Sequence, residues 1–114
     1  MKTLYVVATP IGNMGDLTPR AREVLSSVDF VLCEDTRVGG KLMSLAELKK
    51  PLLSYYEHNK NSRHALILSR LLSGQDAALI TDAGTPCISD PGMEMVRLAH
   101  ENGIKVVPIP GACA

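Results

Sequence analysis

Two polar clusters in the sequence carry the side-chain types that acid–base chemistry needs. Glu34 and Asp35 directly follow one short apolar run, and His58 follows Glu57 just after another. A carboxylate or an imidazole near a weakly acidic hydroxyl group can accept its proton during a reaction. Helix capping would explain the two carboxylates equally well, and a lone exposed histidine is more often simply solvated. Both clusters are therefore candidates whose role depends on their place in the fold.

The stretch from Thr81 to Gly92 has the composition of a ligand-binding loop between a strand and a helix. Gly84 and Gly92 tolerate positive φ and let a ligand approach the backbone. Pro86 and Pro91 restrict how the loop bends. In open α/β sheets, ligands bind at the carboxyl ends of strands, which is where this loop is predicted to lie. An ordinary strand-to-helix connection is the alternative interpretation.

Several common site types lack support in the sequence. No GxGxxG and no GxxxxGK[ST] motif occurs, so the usual dinucleotide and phosphate-loop interpretations are disfavoured. The three cysteines are widely spaced without a CxxC pair, which indicates a reducing compartment and no structural zinc. The amino terminus turns polar too early for a signal peptide, and no apolar run approaches membrane-spanning length. We expect a cytoplasmic protein with no metal site and no membrane partner.

The composition is that of a soluble globular domain. The chain has 114 residues, of which 46% are hydrophobic and 21% are charged, and the formal net charge is +0. A chain of this length can bury a self-sustaining core, and we see no linker or repeat that would divide it. The balanced charge gives no bulk attraction to nucleic acid, although a local basic face remains possible.

Strand and helix patterns alternate along the whole chain. Short apolar runs predict strands over 4–8, 29–33, 51–56, 77–81 and 104–109, and the first of these should be central because it is apolar without interruption. Helical spacing and end signals predict four intervening helices. They run from Pro19 to about Ser27, from Arg37 to Leu48, from a cap at Asn61 or Ser62 to a stop at Gly74, and from a cap at Ser89 or Asp90 to a stop at Asn102–Gly103. Such alternation predicts an α/β fold, a five-stranded mostly parallel sheet with helices on both faces. The pattern does not predict the strand order.

Details of the predicted helices can be compared with a structure. Thr18 followed by Pro19 is a helix start, and Asn61 or Ser62 should cap the third helix. Gly39 and Gly40 weaken the first turn of the second helix. His64 falls within a helical pattern and is expected at the surface.

The motifs together resemble one family in their order and spacing. They are Val7–Asn13, Asp16–Thr18, Glu34–Arg37, Glu57–Asn59, Asp82–Pro86, Ile88–Gly92 and Pro108–Gly111. The chain resembles, over essentially its whole length, the amino-terminal half of the ribosomal RNA small-subunit methyltransferase I family. That family 2'-O-methylates a cytidine of 16S RNA and belongs to the tetrapyrrole methylase superfamily, whose enzymes use S-adenosylmethionine (SAM).

The resemblance implies a fold and a cofactor site. It implies that residues 1–114 form the amino-terminal domain of a tetrapyrrole methylase, with a second domain outside this chain and the cofactor in the cleft between the two. The cofactor contacts that it implies are Ile11, Ala83, Gly84, Thr85, Ile88, Cys113 and Ala114. Cys87 stands where this branch usually has glycine, and Cys113 where serine or threonine is usual. Gly39 and Gly40 stand where a basic or polar residue often follows the Glu34–Arg37 motif.

Roles in catalysis and RNA binding also follow from the resemblance. Glu34 matches the position of an acidic catalytic residue in related tetrapyrrole enzymes and is the preferred base, with Asp35 and His58 in reserve. Arg37 is the candidate for an RNA phosphate contact, because a guanidinium group can bind phosphate with two hydrogen bonds. The implied partners are 16S rRNA or the small ribosomal subunit, and a second copy of the chain in a homodimer.

Two other functions are compatible with the same residues. A methylase of a tetrapyrrole or another small acceptor would need an enclosed apolar trough rather than a basic rim. A non-catalytic binding or dimerisation module would leave an exposed apolar patch at the carboxyl edge of the sheet.

Overall fold

The computed structural model describes residues 2–8, 17–81 and 90–109 of the chain. Its elements, in chain order, are β1 Thr3–Ala8, α1 Pro19–Ser27, β2 Phe30–Cys33, α2 Thr36–Leu45, β3 Leu52–Ser54, α3 Lys60–Leu72, β4 Ala77–Thr81, α4 Asp90–Glu101 and β5 Lys105–Ile109. Strands and helices alternate throughout, which confirms the predicted α/β class.

The five strands form one sheet in the order β3-β2-β4-β1-β5. Each strand pairing in the described residues is parallel, with Val6 opposite Leu79 in β4 on one side and Pro108 in β5 on the other. β1 therefore lies inside the sheet, as its unbroken apolar run predicts. Because β3, at one end of the order, forms over only three residues, the predicted strand at 51–56 was too long.

Side chains alternate between the two faces of the sheet and enter two separate cores. One core contains Leu4, Phe30 and Leu79 from the strands and is covered by α3 and α4 through residues such as Ile67 and Met95. The opposite core is covered by α1 and α2, and its buried members include Val7, Val31, Val24 and Leu42. The prediction of helices on both faces is confirmed.

The starts of α1 and α3 can be compared with the predicted capping residues. Thr18 caps α1 by accepting a hydrogen bond from the amide of Ala21 at 3.1 Å, and Pro19 opens the helix as predicted. The predicted cap of α3 at Asn61 or Ser62 was wrong, because the helix begins at Lys60. Asn59 occupies the cap position without a capping hydrogen bond, since its side chain bonds the preceding turn instead.

Gly39 shows why a residue that weakens a helix stands in α2. A Cβ atom built on Gly39 would lie 2.7 Å from Sγ of Cys33, at the end of β2. Only a glycine lets the helix backbone approach the buried thiol this closely. At Gly40 the same added atom would meet only Leu52 at 3.7 Å, an ordinary contact. Cys33 is 4% exposed and packs as a small apolar side chain.

Candidate functional site

Three neighbouring strands end within one residue of the same level at the carboxyl edge of the sheet. Ala8, the last residue of β1, pairs with Thr81, the last of β4. On the other side of β1, Val7 pairs with Ile109, the last residue of β5. Since adjacent strands lie about 4.8 Å apart, the chain leaves these three strands within about 10 Å.

The predicted cofactor residues all follow these three strand ends in sequence. Ile11 comes after β1, and the residues Ala83, Gly84, Thr85 and Ile88 come after β4. Cys113 and Ala114 come after β5. These seven positions, together with Cys87, lie outside the described residues, so their contacts remain predictions. The order of the strands was not predicted from the sequence, and it is this order that brings the three strand ends together.

β1 and β4 are followed by helices that cover opposite faces of the sheet. β1 is followed by α1, which covers one face, whereas β4 is followed by α4, which covers the other. A crevice opens at the carboxyl edge of a parallel sheet where neighbouring strands lead to helices on opposite faces. The topology therefore favours a ligand site at the β1 and β4 ends.

Glu34 is on the other side of β4, at the same edge. Leu32 pairs with Leu79, and extending that register by two residues places Glu34 level with Thr81. Glu34 is the first residue after β2 and is exposed. Within the described parts of the chain no hydrogen bond or ion pair engages its carboxylate, which leaves that group available to a ligand.

Asp35, the neighbouring acid, has a structural task. Its Oδ1 accepts a hydrogen bond from the amide of Arg37 at 2.9 Å and so caps α2. The guanidinium of Arg37 adds bonds from Nε at 3.2 Å and from Nη2 at 3.1 Å. The side-chain bond from Arg37, followed by the backbone bond, lowers the pKa of Asp35 below its usual 3.8. A low pKa makes Asp35 a weaker proton acceptor than an unpaired carboxylate.

Arg37 keeps donors for a further ligand although it is paired with Asp35. A guanidinium has five N–H donors, and the two bonds from Nε and Nη2 use two of them. Its side chain is 90% exposed at the first turn of α2. Hydrogen bonding to Asp35 raises the pKa of Arg37, so the group stays cationic.

His58 lies in the turn after β3, one strand beyond Glu34. Its side chain is exposed, and its ring centroid lies 6.2 Å from that of Tyr56 with the planes 69° apart. The turn is closed by Asn59, whose Oδ1 accepts from the amide of Tyr56 and whose Nδ2 donates to the carbonyl of Ser54. The structure thus places His58 beside an aromatic ring on a hydrogen-bonded turn.

A polar network behind this turn ties α3 to α4. Nζ of Lys60 contacts Glu57 at 2.7 Å and Glu94, in α4, at 2.5 Å. These hydrogen bonds raise the pKa of Lys60 above its ordinary range, and the bond from Lys60 lowers that of Glu94. Glu94 lies shortly after the segment that carries the predicted cofactor contacts of β4, so Lys60 anchors the helix that this segment enters.

A second link in the network joins Tyr55 to His64. The tyrosine hydroxyl lies 2.7 Å from Nε2 of His64, and the rings are 5.6 Å apart. Burial raises the pKa of Tyr55 to about 12 and lowers the pKa of His64 below 6.5. His64 lies at a half-buried position of α3, less exposed than a fully solvated surface residue.

A surface groove of about 700 Å³ lies between α2 and the start of β3. It is lined by Gly40, Met43, Ser44, Glu47, Leu48, Lys49, Lys50, Pro51 and Leu52. Of the predicted site residues that the structure describes, Glu34, Asp35, Arg37 and His58, none borders it.

The described residues contain no group of three or more histidine, cysteine, aspartate or glutamate side chains that could hold a metal ion. Among the helices of the same residues, none combines the length and the apolar character that crossing a bilayer requires.

Comparison with known proteins adds a family to this geometry. The family model for tetrapyrrole (corrin/porphyrin) methylases matches residues 3–114. A protein from Synechocystis sp. named ribosomal RNA small subunit methyltransferase I is 53% identical over 114 residues, which cover 100% of this chain and 41% of that protein. The protein of the same name from Pasteurella multocida is 52% identical over 111 residues, 97% of this chain and 40% of its own length.

Solved structures give the same fold at lower sequence identity. A cobalt precorrin-4 methyltransferase from cobalamin biosynthesis superposes with a TM-score of 0.79 at 21% identity, over 96% of this chain and 46% of that one. A uroporphyrin-III-C-methyltransferase from Thermus thermophilus superposes with a TM-score of 0.73 at 23% identity, over 97% of this chain and 47% of that one. The present chain spans about two fifths of the length of the Synechocystis and Pasteurella relatives.

Proposed function

Because the chain belongs to the tetrapyrrole (corrin/porphyrin) methylase family, we propose that it supplies part of the active site of a SAM-dependent methyltransferase. The observation that carries the proposal is the meeting of the β4, β1 and β5 ends, within one residue of the same level, at the carboxyl edge. Every predicted cofactor contact follows one of these ends in sequence. Parallel α/β sheets bind their ligands at such an edge, where connections diverge to opposite faces.

The proposed acceptor is the 2'-hydroxyl of a cytidine in 16S ribosomal RNA. Relatives about half identical to this chain bear the name ribosomal RNA small subunit methyltransferase I, and the alignments cover nearly all of it. The corrin and porphyrin enzymes are similar only at 21% and 23% identity, which speaks for a shared fold and not for a shared substrate. RNA as the substrate also gives a role to the exposed cation Arg37.

In this proposal Ile11, Ala83, Gly84, Thr85, Ile88, Cys113 and Ala114 hold the cofactor. Bound SAM supplies a methyl group activated by its attachment to a positively charged sulfur. A ribose hydroxyl is a poor nucleophile, so the protein must orient it and accept its proton. Glu34 is the proposed acceptor because it is an exposed carboxylate at the edge, level with the end of β4.

The other two candidates take supporting roles. Asp35 caps α2 and orients Arg37, since its oxygens accept three hydrogen bonds from that residue. Arg37 contacts an RNA phosphate through its unused N–H groups. His58 stays a reserve base, one strand further from the β4 end than Glu34.

The proposal extends to the rest of the protein and its setting. A second domain completes the cofactor cleft, which agrees with coverage of 41% and 40% of the two relatives. In this proposal the protein forms a homodimer and is located in the cytoplasm, where ribosomes are found.

The first experiment is a calorimetric titration with S-adenosylhomocysteine. It compares the 114-residue chain with an extended protein that includes any downstream coding sequence. Binding by the extended protein alone is expected, because the cleft lies between two domains in the proposal. Failure of both forms to bind would remove the SAM assignment.

The catalytic role of Glu34 is tested in the extended protein with Glu34→Gln. Methyl transfer to 30S subunits should fall about 10²- to 10⁴-fold, since glutamine cannot accept the proton. Affinity for S-adenosylhomocysteine should not change. Glu101→Gln is the control, because Glu101 is exposed at the far end of α4. Equal turnover of the Glu34→Gln and Glu101→Gln variants would exclude Glu34 as the base.

A further inference from the structure

Tyr56 stands apart from the other aromatic rings of the chain. Its side chain is 40% exposed, whereas Phe30 and Tyr55 are each 1% exposed in a core, and Tyr5 packs partly buried against the other core. These four are all the phenylalanine, tyrosine and tryptophan residues in the sequence, and each is described. Tyr56 is therefore the one exposed ring of this class.

The backbone that presents Tyr56 is held by hydrogen bonds on both sides. Its amide donates to Oδ1 of Asn59 at 2.8 Å, and its carbonyl accepts from the amide of Asn59 at 3.1 Å. Nδ2 of Asn59 also donates to the carbonyl of Ser54 at 3.1 Å. A ring on a turn that is already ordered loses little conformational entropy when it binds a partner.

The position of Tyr56 connects it to the proposed acceptor site. Cys33 pairs with Ser54, and its carbonyl accepts from the amide of Tyr55 at 2.8 Å, so the ladder between β2 and β3 reaches the start of the turn. Glu34 follows Cys33 directly. With strands about 4.8 Å apart, the backbone of Tyr56 lies within about 10 Å of Glu34.

We infer that Tyr56 is a stacking site for a nucleobase of single-stranded RNA, next to the ribose that Glu34 serves. The inference rests on the proposed function and names the substrate contact at that site. Proteins bind unpaired bases by stacking them on aromatic side chains beside cations that contact the phosphates. Arg37, at the start of the helix that follows Glu34, provides such a cation.

The inference also assigns a task to His58. Its ring meets that of Tyr56 at 69°, an edge-on arrangement that restrains the tyrosine from one side. His58 is then a positioning residue for the stacking ring. Because Tyr56 lies one strand outward from Glu34, the stacked base belongs to a nucleotide that flanks the methylated one.

The test measures RNA binding by the extended protein with a fluorescent oligocytidylate and with an abasic oligoribose phosphate of equal length. The two probes carry the same phosphates and differ only in their bases. The wild-type protein should prefer the base-containing probe by about tenfold. Tyr56→Leu should abolish this preference by weakening the first probe alone, whereas Tyr56→Phe should retain it.

Leu72→Ala is the matched control, because Leu72 is 48% exposed at the opposite end of α3. Equal preference in the wild-type and Tyr56→Leu proteins would overturn the inference, as would loss of the preference in Tyr56→Phe or no RNA binding at all. Titration with S-adenosylhomocysteine and transfer to 30S subunits are measured in parallel. If the wild-type protein binds S-adenosylhomocysteine and methylates 30S subunits, and Tyr56→Leu keeps the wild-type preference for the base-containing probe, only the stacking site is wrong. If the wild-type protein neither binds S-adenosylhomocysteine nor methylates 30S subunits, the proposed function itself fails.

Discussion

The two faces of the sheet fasten their helices to the strand ends in different ways. On the face covered by α1 and α2, the start of α2 fits against β2 by shape, with Gly39 in close contact with Cys33. On the face covered by α3 and α4, polar side chains make the link: Lys60 joins α3 to Glu57 after β3 and to Glu94 in α4, and Tyr55 after β3 contacts His64 in α3. Changes in side-chain volume should therefore alter stability most on the first face. Changes in pH and salt should act mainly through the second face.

The largest expected effect is on the face that fits by shape. Gly39→Ala should lower the free energy of unfolding by about 1–3 kcal/mol, because the new methyl group overlaps Sγ of Cys33. Gly40→Ala is the control in the next position of the same helix, where the added atom has room. It should raise stability by about 0.5–1 kcal/mol, since alanine favours a helix over glycine. Urea denaturation measures both changes.

A double variant identifies the cause of the Gly39 effect. Cys33→Ala removes the sulfur that the new methyl group would meet, so adding it to Gly39→Ala should recover part of the lost stability. The two changes would then be less than additive. Strict additivity would show that the contact with Cys33 is not the cause of the Gly39→Ala effect.

An intermediate effect is expected from Tyr55→Phe on the opposite face. The ring stays in the core, but the bond to Nε2 of His64 is lost, which should cost about 1 kcal/mol. The measurement is urea denaturation at pH 8, where His64 is neutral in both states. A change within error would mean that the hydroxyl contributes nothing to this face.

The same pair predicts the pH dependence of stability. The pKa of His64 is lowered by burial, so the unfolded chain takes up its proton first and stability falls as pH drops below 6.5. The pKa of Tyr55 is raised to about 12, so the unfolded chain releases its proton first and stability falls between pH 10 and 12. Tyr55→Phe should reduce the loss above pH 10, and His64→Gln the loss below pH 6.5.

The smallest effect is expected from the ion pairs of Lys60. Lys60→Met should lower stability slightly at low salt and by less at high salt, because both partners are partly solvated. The pKa of Glu94 is lowered and that of Lys60 raised, so their contribution should disappear as pH falls below about 4.5 or rises above about 10.5. Lys41→Met, at an exposed position of α2, is the control. Equal salt dependence of the two variants would refute the role of Lys60.

The sequence was enough for the class of fold and for the place of Glu34 and Asp35 directly after a strand. Apolar runs of strand length and helical spacing report burial locally, and glycines at 74 and 103, with φ of 108° and 74°, end α3 and α4 as predicted. The error at the start of α3 has a local cause. Asn59 is used by the turn of Tyr56, so a good capping residue does not cap the helix.

The alternation of strands and helices, the two apolar faces and the polar segments after the strands can be predicted from the sequence alone. Each of these features is encoded by residues that are close together in the chain. The order β3-β2-β4-β1-β5 comes from the tertiary structure, and with it the adjacency of the β4, β1 and β5 ends. The tertiary structure also decided that Lys60 meets Glu94, 34 residues away, and that Gly39 must stay small beside Cys33. Such partners are chosen by the packing of the whole chain, which no local pattern records.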